Sequence, residues 1–169
     1  MADHKIFNVL FLDTSNANRS IIAEVLMDRL GVDRFDAFSA GWAPASEVSP
    51  VALSLLRSQG FPEKDFRCKH WDEFTAPDAP HMDFIFTLCD EAAKEVAPEW
   101  PGHPISAHWA VPNPALATGS EAEIAVAYDE TFRLLRNRIA LLCDLPLTAL
   151  DRMATEQQVR EIGANQDAA

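Results

Sequence analysis

The chain has 169 residues, 48 % of them hydrophobic, and a formal net charge of −12. That length suits one domain with its own core, and the acidic balance argues against nucleic-acid or anionic-membrane surfaces as partners. No apolar run approaches the ~18 residues of a membrane span, and Met1-Ala2-Asp3-His4-Lys5 lacks an apolar leader pattern.

Lys5 to Leu12 is nearly continuous in apolar residues and predicts a buried first strand. Small polar residues follow, from Thr14 to Asn18, and a helix restarts at Ser20 with Ile21, Ile22, Val25, Leu26 and Leu30 before Gly31 stops it. Phe35 to Gly41 predicts a second strand. Ser49 as N-cap and Pro50 at the first helical position open the next helix, which carries Val51, Leu53, Leu55 and Leu56 and ends at Gly60.

Trp71-Asp72-Glu73-Phe74 predicts one helical turn, and Phe84 to Leu88 a third buried strand. Ile105 to Trp109 alternates as a short fourth strand, and Val111-Pro112-Asn113-Pro114-Ala115 predicts a loop. Ser120-x-x-Glu123 is a capping box opening a long helix with Ile124, Tyr128, Leu135, Ile139 and Leu142. A short helix over 151–162 precedes a frayed tail at about 163–169. Strand and helix alternate about four times, so the expected fold is a single α/β domain over 1–169: a four-stranded parallel sheet with helices on both faces. Asp13, Cys89 and Asn113 all follow predicted strands, where sites of such folds lie.

The junction after the first strand carries the chemistry. A strand, a tight loop and a helix start in succession aim backbone N–H groups and the positive helix end at one point, which suits an anion. Arg19 adds a fixed charge and a bidentate fork. Asp13-x5-Arg19-Ser20 resembles the phosphate loop of the low-molecular-weight tyrosine phosphatases and of the arsenate reductases on the same fold, whose pattern is Cys-x5-Arg-Ser/Thr. Thr14, Asn16, Arg19 and Ser20 match. The resemblance runs over roughly residues 6 to 143, and it includes Thr87-Leu88-Cys89-Asp90-Glu91 and His108-Trp109-Ala110-Val111-Pro112-Asn113-Pro114-Ala115 of the arsenate-reductase branch.

The resemblance implies the low-molecular-weight phosphatase fold. It implies a loop, Thr14, Ser15, Asn16, Ala17, Asn18, Arg19 and Ser20, that binds phosphate, sulfate or an arsenate-like oxyanion. It also puts Asp13 at the place of the nucleophilic cysteine, Asn113 at that of the general-acid aspartate, and Ser15 where the family has glycine. Cys89 fits one redox-cysteine place, and Ala97 fills the other. The expectation is an oxyanion-loop pseudoenzyme: Asp13 plays the anion, accepts loop N–H groups and pairs with Arg19. Two alternatives stay open: Asp13 as a carboxylate nucleophile forming an acyl phosphate, and a regulatory, partner-binding scaffold.

Other residues read more plainly. Ser20 is a helix N-cap or a loop-shaping hydroxyl. Cys68, beside Arg67, Lys69 and His70, has neighbours that would lower its pKa, although a plain surface thiol is the simpler reading. Cys143 belongs to the core. Trp100 and Trp109 either wall the site or fill the core, and Glu121, Glu123, Asp129 and Glu130 form a solvated helix face. Three scattered cysteines show neither metal spacing nor a disulfide framework, and His103 and His108 lack a third ligand, so no metal or cofactor is expected. Reduced thiols point to the cytoplasm. No protein partner is implied.

Overall fold

Period-two alternation along the strands divides the apolar residues between two faces of one sheet. The computed structural model describes residues 5–62, 64–94 and 100–164. Strand β1 (Phe7–Asp13) leads through helix α1 (Arg19–Leu30) to β2 (Phe35–Gly41), then α2 (Pro50–Ser58) and a 3-10 turn at Trp71–Phe74. β3 (Phe84–Thr87), α3 (Asp90–Lys94), β4 (Ile105–His108), a 3-10 turn at Pro114–Leu116, α4 (Glu121–Cys143) and α5 (Arg152–Ala164) complete the order. The strands lie in the order β2-β1-β3-β4 and every neighbouring pair is parallel.

Val9 and Phe11 of β1, with Phe84 and Phe86 of β3, face a core filled from α1, α2, α4 and α5. Leu10 and Leu12, with Ile85 and Ala40, face a smaller core closed by Trp71 and Phe74 of the 3-10 turn, with Trp42 and Trp100 against it. The chain leaves β1 toward β2 on one side and later enters β3 on the other. The order therefore reverses at β1, and the crevice beyond the carboxyl ends of β1 and β3 is where such sheets bind ligands.

Several boundaries differ from expectation for identifiable reasons. β1 starts at Phe7 because Lys5 turns aside to pair with Asp83 (3.0 Å), and it runs through Asp13 because Asp13 stays in register with Gly41. α1 starts at Arg19 with Asn18 in the cap position, so Ser20 is not the cap. The segment expected as loop at 111–115 tightens at Pro114–Leu116 into a 3-10 turn, with the Asn113 side chain accepting the Ala115 N–H (3.0 Å). Residues 163 and 164 are helical, in α5. The Ser49 cap and the Ser120–Glu123 capping box form as expected.

Gly41 is where the sheet meets the loop. A Cβ there would come within 2.5 Å of the Thr14 carbonyl oxygen and 2.9 Å of the Asn16 nitrogen. Both are backbone atoms of a braced segment that cannot give way cheaply. Gly41→Ala should therefore lower stability by roughly 1–3 kcal/mol, read as a fall in urea midpoint. An unchanged midpoint would mean that the loop is looser than its contacts require.

Candidate functional site

The loop from Asp13 to Ser20 is braced from outside by its carbonyls. Those of Thr14, Ser15 and Ala17 accept the N–H groups of Ala43 (2.9 Å), Ala45 (2.9 Å) and Ser49 (3.0 Å). With its carbonyls turned to that segment, the loop leaves N–H groups on its inner side. Asn16 takes the left-handed conformation (φ 52°) that this reversal needs and that Asn tolerates. Its side chain donates to the Ser20 hydroxyl (2.8 Å) and accepts the Lys69 N–H (2.8 Å). Ser20 thus shapes the loop through its hydroxyl.

Asp13 lies at the floor of this loop, 1 % exposed. One carboxylate oxygen accepts the Asn16 N–H (2.6 Å), the other the Ser20 N–H (2.9 Å). The second bond satisfies an otherwise orphaned donor in the first turn of α1, a task usually given to a side chain at the cap itself. Burial pushes the Asp13 carboxyl above the usual aspartate range, while the N–H groups of Ser20 and Asn16 and the charge of Arg19 pull the other way. Arg19 does not pair with Asp13 as expected. Its guanidinium donates to the Val111 carbonyl (3.1 Å), 7 % of the residue is exposed, and its Nε is buried without an acceptor.

A cleft of about 970 Å³ opens over the loop and is lined by Thr14, Ser15, Arg19, Cys89, Asn113 and Arg138, among others. It brings three predicted regions together: the loop, the end of β3 and the segment after β4. Cys89 is buried, its sulfur 3.4 Å from the Thr14 hydroxyl and 3.4 Å from the Ala92 N–H. Ala97 lies outside the described residues. A second cleft is lined by Thr87 and His108, whose Nδ1 lies 2.7 Å from Thr87 Oγ1, and the His108 Nε2 meets Asp90 of the first cleft (2.9 Å).

Three supporting residues have no signal in the local pattern. The Tyr128 hydroxyl donates to the Asn18 side chain (2.7 Å) from α4. Arg138 is buried on the same helix and donates to the Trp109 (3.0 Å) and Ala110 (2.7 Å) carbonyls. Lys69 comes from the segment after α2. Only long-range contacts reveal them. Two readings left open by the sequence resolve. Cys68 has its thiol pushed up by burial, which outweighs Lys69, and Trp109 is core rather than pocket wall. Trp100 lines the second cleft and packs on Trp71.

Glu24, in α1, accepts the Ser39 hydroxyl (3.1 Å), and Lys69 donates to that same hydroxyl (3.5 Å). Burial raises the Glu24 carboxyl and lowers the Lys69 ammonium, with each partner's charge opposing the shift. A carboxyl whose pKa is higher folded than unfolded costs stability once pH passes its unfolded value. Wild-type stability should therefore lose a component as pH rises above about 4.5. Glu24→Gln removes that component. Urea unfolding at a series of pH values should show a shallower fall in the variant, and an identical slope would count against the shift.

Similarity to known proteins runs along most of the chain. The family described as low molecular weight phosphotyrosine protein phosphatase matches residues 8–157. Among relatives, an arsenate reductase of Bacillus licheniformis is 32 % identical over 116 residues, covering 68 % of this chain and 79 % of that protein. One of Oceanobacillus iheyensis is 29 % identical over 131 residues, covering 78 % and 91 %. The crystal structure of an arsenate reductase from Archaeoglobus fulgidus superposes with a TM-score of 0.64 at 25 % identity, covering 81 % of this chain and 99 % of that one.

Proposed function

Because this chain belongs to the low molecular weight phosphotyrosine protein phosphatase family and has arsenate reductases among its relatives, we propose that it keeps an oxyanion loop without cysteine-dependent turnover. The observation that carries this reading is Asp13: a buried carboxylate whose two oxygens accept the Asn16 and Ser20 N–H groups. By the resemblance, that is the place of the attacking thiolate. In its ionised form a carboxylate there opposes each unit of ligand charge by roughly 4 kcal/mol at 4 Å and an effective dielectric near 20.

Asn113 lines the same cleft at the general-acid place. Its amide has no acid proton to give, so acid catalysis worth roughly 10²–10⁴-fold is missing. The remaining members, Thr14 to Ser20 with Arg19, would hold an oxyanion without reacting with it. Cys89 in this reading is a buried thiol beside Thr14 rather than half of a redox pair.

The test is turnover of an aryl phosphate and reduction of arsenate with thiol reductants. The expected rate in both equals that of Arg19→Ala. A rate above that level overturns the proposal, and phosphate trapped covalently on Asp13 would identify the carboxylate as the nucleophile. One further observation favours a binding role at the same mouth: Leu116, at the cleft, is 77 % exposed. A protein retained by the wild type and lost with Leu116→Glu would support it. Retention by both would remove Leu116 from that role.

A further inference from the structure

Asp13 uses only part of its hydrogen-bonding capacity. A carboxylate offers about four lone-pair sites, and Asp13 spends them on the Asn16 and Ser20 N–H groups and on the Ser20 hydroxyl, which leaves about one. Donors also remain in the loop. Among the described residues, the N–H groups of Ser15, Ala17 and Asn18 have no protein acceptor, and the buried Nε of Arg19 has none. The loop thus holds unpaired donors around one nearly buried acceptor, just beneath the Thr14, Ser15 and Arg19 that line the cleft.

We propose that Asp13 makes the loop selective for a tetrahedral oxyanion that still carries a proton, hydrogen phosphate or hydrogen arsenate, over one that does not, such as sulfate or a phosphomonoester dianion. The inference rests on reading the loop as an oxyanion site. A ligand seated there turns its charged oxygens to the N–H groups and the Arg19 guanidinium, and one oxygen toward Asp13. If that oxygen bears hydrogen, it donates to the carboxylate and forms a short, charge-assisted bond. If it does not, two sets of lone pairs meet with nothing between them. Hydrogen phosphate, hydrogen arsenate, sulfate and phenyl phosphate all carry two charges at about pH 8. The Coulomb cost of Asp13 is then the same for each, and the difference left is one O–H.

Calorimetric titration of the full chain at about pH 8 with these four anions reads this directly. Phosphate and arsenate should bind about 10- to 100-fold more tightly than sulfate and phenyl phosphate, the ratio expected for a hydrogen bond to a charged group. Asp13→Ser, which removes the charge and replaces an acceptor-only carboxylate with a hydroxyl that can also donate, should bring phosphate and sulfate within about threefold of each other. Circular dichroism shows whether that variant folds, and if it does not, the wild-type ratio alone decides. Equal affinity of the wild type for sulfate and phosphate overturns the inference. So does the absence of binding by all four anions, which leaves the non-turnover reading intact. Hydrolysis of phenyl phosphate overturns the non-turnover reading, and the phosphate-to-sulfate ratio then decides this inference by itself.

Discussion

Asp13→Cys combined with Asn113→Asp should raise aryl-phosphate turnover at least about 10²- to 10⁴-fold over the wild type, the worth of general acid catalysis alone. The prediction follows from how much of the surroundings is already in place. The loop carbonyls are tied to the 43–49 segment, Asn16 holds its left-handed turn, and Arg19 is fixed by the Val111 carbonyl. Preorganised donors of that kind cost no reorganisation during reaction. Position 113 opens on the same cleft as Thr14, Ser15 and Arg19. Each single substitution should recover much less than the pair, because an attacking thiolate and a proton donor act as a unit. The check is kcat/KM for an aryl phosphate in the single and double variants. A double variant that folds yet stays inert would mean that losses elsewhere, such as at Ser15, have disabled the scaffold.

Trp109→Ala should cost about 3–5 kcal/mol of stability, the range for large aromatic deletions in a core. Trp109 is fully buried. Its ring stacks on Phe86 with centroids 3.8 Å apart and planes 16° apart, and it tilts against Phe11 at 6.4 Å. Its indole N–H donates to the Val159 carbonyl (2.8 Å), so the truncation also removes a buried hydrogen bond between the β4 end and α5. Gly163 is part of the same fit, since a Cβ there would lie 2.5 Å from the Trp109 ring. Urea unfolding with an unchanged m-value isolates the effect. Trp109→Phe should lose less, since it keeps an apolar ring. A loss under about 1 kcal/mol for the alanine variant would mean that α5 collapses into the space.

Most of the fold was legible because it is written in local patterns. The nearly unbroken apolar runs at 6–12 and 84–88 mark strands buried on both faces, and the Ser49-Pro50 and Ser120-x-x-Glu123 signals mark two helix starts. The loop was legible as a motif, and its residues do gather at the carboxyl end of β1. What stayed hidden was long-range. Nothing near Tyr128, Arg138 or Lys69 says that they steady a loop more than forty residues away. The start of α1 was misplaced for a related reason. Its first-turn donor is satisfied by Asp13, seven residues earlier at the end of a strand, and Asn18 in the cap position makes no side-chain cap bond. The expected Asp13–Arg19 contact failed because the Val111 carbonyl, from the far side of the sheet's switch point, takes the guanidinium instead.

The three N–H groups of Ala43, Ala45 and Ser49 that grip the loop carbonyls sit outside the cleft, on residues no ligand need touch. They form a ready-made deuterium reporter. Their exchange rates slow or quicken together with the loop's opening, so a mass-spectrometric trace of this one short segment would register an event at the floor of the cleft without any label placed there.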